Sequence, residues 1–272
     1  MLYLVYFPIH LQIFVSFVTA NPFIGGENIV PAEKNEFPFI VSIGFNVDDG
    51  GHICTGSLIT CTHVLTAAHC TEIVRRPRNV RVLVGTNDLD NGGTKYRLST
   101  VDNWVTYNDW AQRENSSKTI YECNDIAIFT LSNEVTKNIQ MPKISSDSDD
   151  KHYNKVAVAV GWGELSGGVK PNLLQKVSLN VMNKTECENT LEKLGYSRTE
   201  AQLNEICTVA DPPVVPGMGD SGGPLLINGN EIIGVSQAFC PEDQPNHPDV
   251  YNIHVSIDFY RSFIYNVTNI HL

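Results

Sequence analysis

Positive charge is scarce in this sequence. Across 272 residues, 19 Lys and Arg face 30 Asp and Glu, for a net charge of −11. Such a balance keeps a chain soluble and argues against nucleic acid or an anionic membrane as a partner. After the first 20 residues there is no second apolar run of bilayer-spanning length. Helical periodicity is rare, and no internal repeat, linker or accessory module interrupts the chain. The seven cysteines show no metal-ligand spacing, so neither a metal nor another cofactor is expected. Their odd number leaves at least one thiol free, capped or intermolecular.

Residues 1–20 are mostly apolar and almost uncharged, and end in the small-residue sequence Val18-Thr19-Ala20. They lack a basic start, but Pro8, His10 and Gln12 break the run too early for an anchor, so the segment reads as a cleaved signal peptide. About 250 residues remain, the length of one all-β domain. A secreted, extracellular chain is expected to carry disulfides. Sequons at Asn115, Asn183 and Asn266 permit glycans, making it a candidate glycoprotein. Residues 39–45, 53–59, 64–67 and 80–84 are short, β-branched runs separated by turn residues, the pattern of strands repeated into barrels. Two stretches have helical spacing: residues 186–194, with Leu191 and Leu194 three apart, and residues 255–264, where Phe259, Phe263 and Ile264 share a face.

The chemistry concentrates in three motifs. Gly219-Asp220-Ser221-Gly222-Gly223-Pro224 holds a serine on a glycine-bracketed turn where backbone N–H groups can converge. A serine hydroxyl needs a general base to take its proton and donors to hold the oxyanion formed at a carbonyl. Thr66-Ala67-Ala68-His69-Cys70 offers the base, and Asn124-Asp125-Ile126-Ala127-Ile128 offers a carboxylate to orient it. The order His, Asp, Ser, each inside its own motif, resembles the chymotrypsin family of trypsin-like serine proteases from about Phe23 to the C-terminus.

That resemblance implies two packed six-stranded antiparallel β-barrels with a C-terminal helix, an all-β fold placing His69 and Asp125 on the first barrel and Ser221 on the second. It implies a serine endopeptidase in which His69 is general base, Asp125 orients it, and the backbone N–H groups of Gly219 and Ser221 form the oxyanion hole. Phe23 stands where the family's activated N-terminus begins and would pair with Asp220. The preceding Asn21-Pro22 offers no tryptic cleavage site. Either a dipeptidyl peptidase removes that dipeptide, or Asn21 stays as the N-terminus and the chain remains zymogen-like or needs no cleavage. His52 matches a histidine that pairs with the aspartate in the family's zymogens, and equally reads as a plain strand histidine.

The resemblance also implies bridges Cys54–Cys70 and Cys187–Cys207. Cys61, Cys123 and Cys240 remain, and Cys61 with Cys123 is one open pairing. The usual partner of Cys240 is replaced by Gly217, which should loosen the pocket wall by removing a constraint of about 2–4 kcal/mol. Around the substrate pocket the family pattern implies Val215, Met218, Ser236, Gln237, Ala238 and Asp249. Val215 replaces the trypsin aspartate. Asp249 replaces a glycine, and either attracts a basic side chain or fills the pocket beside a partner. Two readings follow: a secreted endopeptidase with a remodelled pocket, or a protease-like binding protein. Partners are then protein or peptide substrates and protease inhibitors, with the enzyme a monomer. The absent tryptic site and the trimmable dipeptide resemble arthropod venom or salivary products.

Overall fold

In residues 80–84 the period-two rule is visible directly. Val80, Val82 and Val84 are buried, while Arg81 and Leu83 face partly outward. Six strands close the first barrel, and this computed structural model describes residues 28–46, 51–90, 97–114, 124–135, 139–196 and 204–270. The signal segment, Asn21-Pro22, Phe23, Asn115 and Cys123 lie outside the described residues.

The strands are β1 (Ile29–Pro31), β2 (Ile40–Phe45), β3 (His52–Leu58), β4 (His63–Thr66), β5 (Val80–Val84), β6 (Arg97–Thr106), β7 (Ala127–Leu131), β8 (Lys143–Ile144), β9 (Val156–Gly161), β10 (Gln175–Val181), β11 (Glu205–Val209), β12 (Pro224–Ile227), β13 (Glu231–Cys240) and β14 (Tyr251–Ser256). The first barrel closes in the order β2-β3-β4-β7-β6-β5. In the second, β9 pairs with both β10 and β12, so β10-β11-β14-β13-β12-β9 is also a closed ring of six. To it β1 adds an antiparallel edge along β10, and β8 a short parallel one along β13. The expected two-barrel architecture is present.

Among the described residues four α-helices interrupt the strands: α1 (His69–Val74), α2 (Tyr107–Arg113), α3 (Lys184–Lys193) and α4 (Ile257–Thr268). The periodicity over 186–194 lies almost wholly within α3, which starts two residues earlier because Asn183 caps it reciprocally with Glu186. The helix expected over 255–264 begins later, since Val255 and Ser256 complete β14. Both α1 and α2 escape a periodicity search, being only six and seven residues long.

α4 leaves the second barrel and packs on the first. Tyr107 and Trp110 of α2 meet Tyr260 and Phe263 of α4, with Tyr107 and Tyr260 edge to face at 4.8 Å between centroids. This contact clamps the two barrels together beside the Asn124-Asp125 segment.

Candidate active site

His69 is the first residue of α1, and the Cys54–Cys70 disulfide fastens that helix to β3. Asp125 lies two residues before β7 and is buried. The two meet in a two-point contact. His69 Nδ1–H donates to Asp125 Oδ2 at 2.7 Å, and the His69 backbone N–H donates to Oδ1 at 2.8 Å. Burial alone would lower the imidazole pKa. The Asp125 hydrogen bond and charge, with a contribution from Glu72, outweigh it and raise the pKa above its ordinary value. Next door, Asn124 Oδ1 accepts from Tyr260 O–H at 2.7 Å, and its Nδ2 donates to Asn108 Oδ1 at 2.9 Å. The α2–α4 clamp thus reaches the residue adjoining Asp125.

Ser221 belongs to the second barrel, but the first barrel holds its turn. The Thr55 backbone N–H of β3 donates to Ser221 O at 2.9 Å. Gly219 O takes two side-chain donors, Thr55 Oγ1–H at 2.9 Å and His52 Nε2–H at 2.9 Å. A carbonyl only accepts, so His52 carries its proton on Nε2, and Nδ1 accepts from Ser42 Oγ–H at 2.8 Å. Burial pushes the His52 pKa down to about 4, with Lys170 adding to the fall and the Gly219 carbonyl opposing it, so the ring is neutral at neutral pH. Gly219 itself has φ of +111°, outside the range open to side-chain-bearing residues.

These contacts correct the expectation that His52 pairs with Asp220. Both ring nitrogens are engaged elsewhere, and the buried Asp220 carboxylate accepts from Gly163 N–H at 2.8 Å and Gly217 N–H at 2.9 Å. Burial pushes its pKa up to about 7 against those two hydrogen bonds.

The trypsin family model, described as "Trypsin", matches residues 26–262. The chain belongs to the trypsin family of serine endopeptidases. It is 31% identical to fibrinolytic enzyme, isozyme C, of Lumbricus rubellus over 240 residues, covering 84% of this chain and 93% of that protein. It is 29% identical to trypsin beta of Drosophila erecta over 234 residues, covering 85% and 84%.

Within this trypsin-family chain the predicted pocket residues separate. Val215 is fully buried, lining a small internal void with Val214, Ser236, Asn252 and His254. Met218 is 74% exposed, beside the serine turn. Gln237 and Ala238 are partly exposed on β13, whose register slips between Ser236 and Ala238. Asp249 Oδ2 forms an ion pair with Lys193 Nζ, at the end of α3, at 2.6 Å.

Both expected disulfides are present. Cys61 is an exposed free thiol and Cys240 a buried one, packed with Cys187, Cys207 and Tyr251. Where the family has a second cysteine, Gly217 has no room for one. A Cβ there would lie 1.9 Å from the Glu164 carbonyl oxygen. Backbone hydrogen bonds hold this wall instead, Glu164 N–H to Met218 O at 2.9 Å among them.

Cys54, Cys70 and His69 form the one tight grouping of metal-ligating side chains among the described residues, and both sulfurs are spent in the bridge. No helix among the described residues is long and apolar enough to cross a membrane. Thr55, Ser42, Gly163 and Lys193 are the site residues that sequence reasoning missed. Gly161-Trp162-Gly163 carries a signal, two glycines around a tryptophan marking close approach, whereas nothing in sequence joins Lys193 to Asp249.

Proposed function

We propose that this protein is a secreted endopeptidase that cleaves peptide bonds through Ser221, His69 and Asp125. The observation that carries the reading is the two-point grip of Asp125 on His69, which fixes Nδ1 as the protonated nitrogen and leaves Nε2 to act as base. His69 Nε2 takes the Ser221 proton as Oγ adds to the substrate carbonyl. The resulting oxyanion is held by the N–H groups of Gly219 and Ser221. Collapse of that intermediate breaks the C–N bond and forms the acyl-enzyme, with His69 protonating the departing amine. Water, deprotonated by His69, then releases the acid and restores the serine.

Val215 is apolar where trypsins carry a carboxylate, and Asp249 is paired with Lys193. Both support a non-basic residue before the scissile bond. The apolar first 20 residues and the disulfides support secretion, with the sequons as glycan sites. The proposed partner of Asp220 is the amine of Phe23, exposed when Asn21-Pro22 is removed. That charge would stabilise a carboxylate whose burial otherwise holds its pKa near 7.

A second reading, a protease-like binding protein, draws on the same residue, since no cation pairs with Asp220 among the described residues. A fluorophosphonate serine probe separates the two. Labelling of secreted, Phe23-starting protein that is lost in Ser221→Ala supports the endopeptidase, and folded material that takes no label supports the binding protein.

A further inference from the structure

The backbone around Asp125 is held by the two helices of the aromatic clamp. Ile126 N–H donates to Asn124 O at 3.0 Å, so Asp125 is the middle residue of a three-residue turn. Both ends of that turn are tied down from outside it. Tyr107 N–H, at the start of α2, donates to Ile126 O at 3.0 Å. At the other end the Asn124 side chain accepts from Tyr260 O–H on α4 at 2.7 Å and donates to Asn108 Oδ1 on α2 at 2.9 Å. Asn124 is 2% exposed and Tyr260 1%, so the bond between them is shielded from water.

The two partners come from different halves of the molecule. α4 runs directly on from β14 of the second barrel, the barrel that also carries Ser221. Asn124 and Asp125 lead into β7 of the first. Thr55 and His52 cross between the halves on the serine side, through Ser221 O and Gly219 O. Tyr260 to Asn124 crosses on the aspartate side, between residues 136 apart in sequence. Groups that act together on one substrate must be held to within about 0.5 Å of productive geometry, and a 1 Å misplacement can cost about 10²-fold in rate. The rings of the clamp resist separation of the halves but tolerate sliding. A hydrogen bond fixes both a distance and a direction.

We propose that Tyr260 is a positioning residue for Asp125: through Asn124, its hydroxyl registers the carboxylate that orients His69 against the barrel that carries Ser221. The inference rests on the endopeptidase reading above. With the hydroxyl gone, the Asn124 side chain loses its tie to α4, and the Asp125 turn can shift relative to Ser221. His69 reports that shift. Burial lowers its pKa, and Asp125 raises it, with Glu72 on α1 the lesser acidic contributor.

The test is Tyr260→Phe, which keeps the ring and its edge-to-face packing on Tyr107. Kinetics on a peptide substrate, with active sites titrated by the fluorophosphonate probe, show kcat about fivefold lower with KM unchanged, the scale of one lost hydrogen bond. The inflection of kcat/KM against pH moves down, because a looser Asp125 leaves burial to dominate at His69. Asn124→Ala produces the same two changes, and Tyr260→Phe adds nothing in that background. Proton NMR of the resting protein needs no turnover: the His69 Hδ1 resonance moves upfield in Tyr260→Phe as the bond to Asp125 Oδ2 weakens. A hydroxyl that only stabilises the fold lowers the melting temperature and leaves kcat, the inflection and the resonance at their wild-type values. That result overturns the proposal, as does full additivity of the two substitutions. Wild-type protein that takes no probe overturns the endopeptidase reading and the role of Tyr260 together, whereas a labelled Tyr260→Phe with wild-type kinetics overturns the role of Tyr260 alone.

Discussion

The Gly219 carbonyl is held by two first-barrel side chains, and removing them one at a time tests how the proposed oxyanion hole is built. Thr55→Val keeps the shape of a fully buried side chain and deletes one donor to Gly219 O, leaving the His52 donor in place. The net loss of one such hydrogen bond is about 1 kcal/mol. His52→Phe keeps the ring and deletes the other. Together they leave a buried carbonyl without either donor, at a cost of about 1–3 kcal/mol beyond the first loss. Gly219 has no side chain to restrict its backbone angles, so releasing its carbonyl loosens rotation on both sides of its Cα. Rotation at Gly219 Cα can then swing the Gly219 N–H, which belongs to the Met218–Gly219 peptide, away from the oxyanion, which costs about 10²- to 10³-fold in rate. Each single variant should therefore lose less than about tenfold in kcat. The double variant should lose about 10²–10³-fold with KM little changed, more than the product of the two single losses, so that a double-mutant cycle shows positive coupling. Steady-state kinetics on a peptide substrate, with active sites titrated and cooperative unfolding checked, provides the readout. A cooperatively folded double variant that keeps wild-type kcat would refute the argument.

Other parts of the site make independent predictions. Lys193→Met frees the Asp249 carboxylate, and library profiling should show cleavage after Arg or Lys rising about fivefold relative to cleavage after apolar residues, the scale of one partly exposed ion pair. Gly217→Cys, which nominally restores the family bridge, should lower the melting temperature and leave Cys240 reactive in a denatured thiol assay, because its Cβ would collide with Glu164 O. The base must be neutral, so kcat/KM should rise with pH through a His69 pKa above 6.5. Asp125→Asn should move that inflection down, as burial then acts without its counterweight, and cut kcat by about 10⁴-fold. By linkage the raised pKa contributes stability in full below pH 6.5, and that contribution is lost as pH climbs through the folded-state value. Iodoacetamide applied to native protein should modify the exposed Cys61 and spare Cys240, whose thiol pKa is raised by burial.

The sequence discloses what is local. Alternation over residues 80–84 marks β5 to the residue, because Val80, Val82 and Val84 must all point into one barrel. The proposed triad is legible for the same reason, since each member sits in a short motif of its own. What sequence hides is what the docking of two barrels creates. Thr55 lies 164 residues from the Gly219 carbonyl it holds, and nothing about a threonine on a strand declares that target. His52 is recognisable in sequence as a site residue, yet its partner is not: sequence offers Asp220 or a plain strand histidine, and in the structure the carbonyl of Gly219 accepts the hydrogen bond from its Nε2–H. Asp249 shows the same limit in its charge. Its position implied a pocket and its acidity implied a basic guest, but Lys193, 56 residues away on an exposed helix end, already supplies the cation. Residues outside the motifs that identify the family thus set the charge around Asp249. Variants that alter selectivity without disturbing the proposed triad should be sought first at Lys193 on α3.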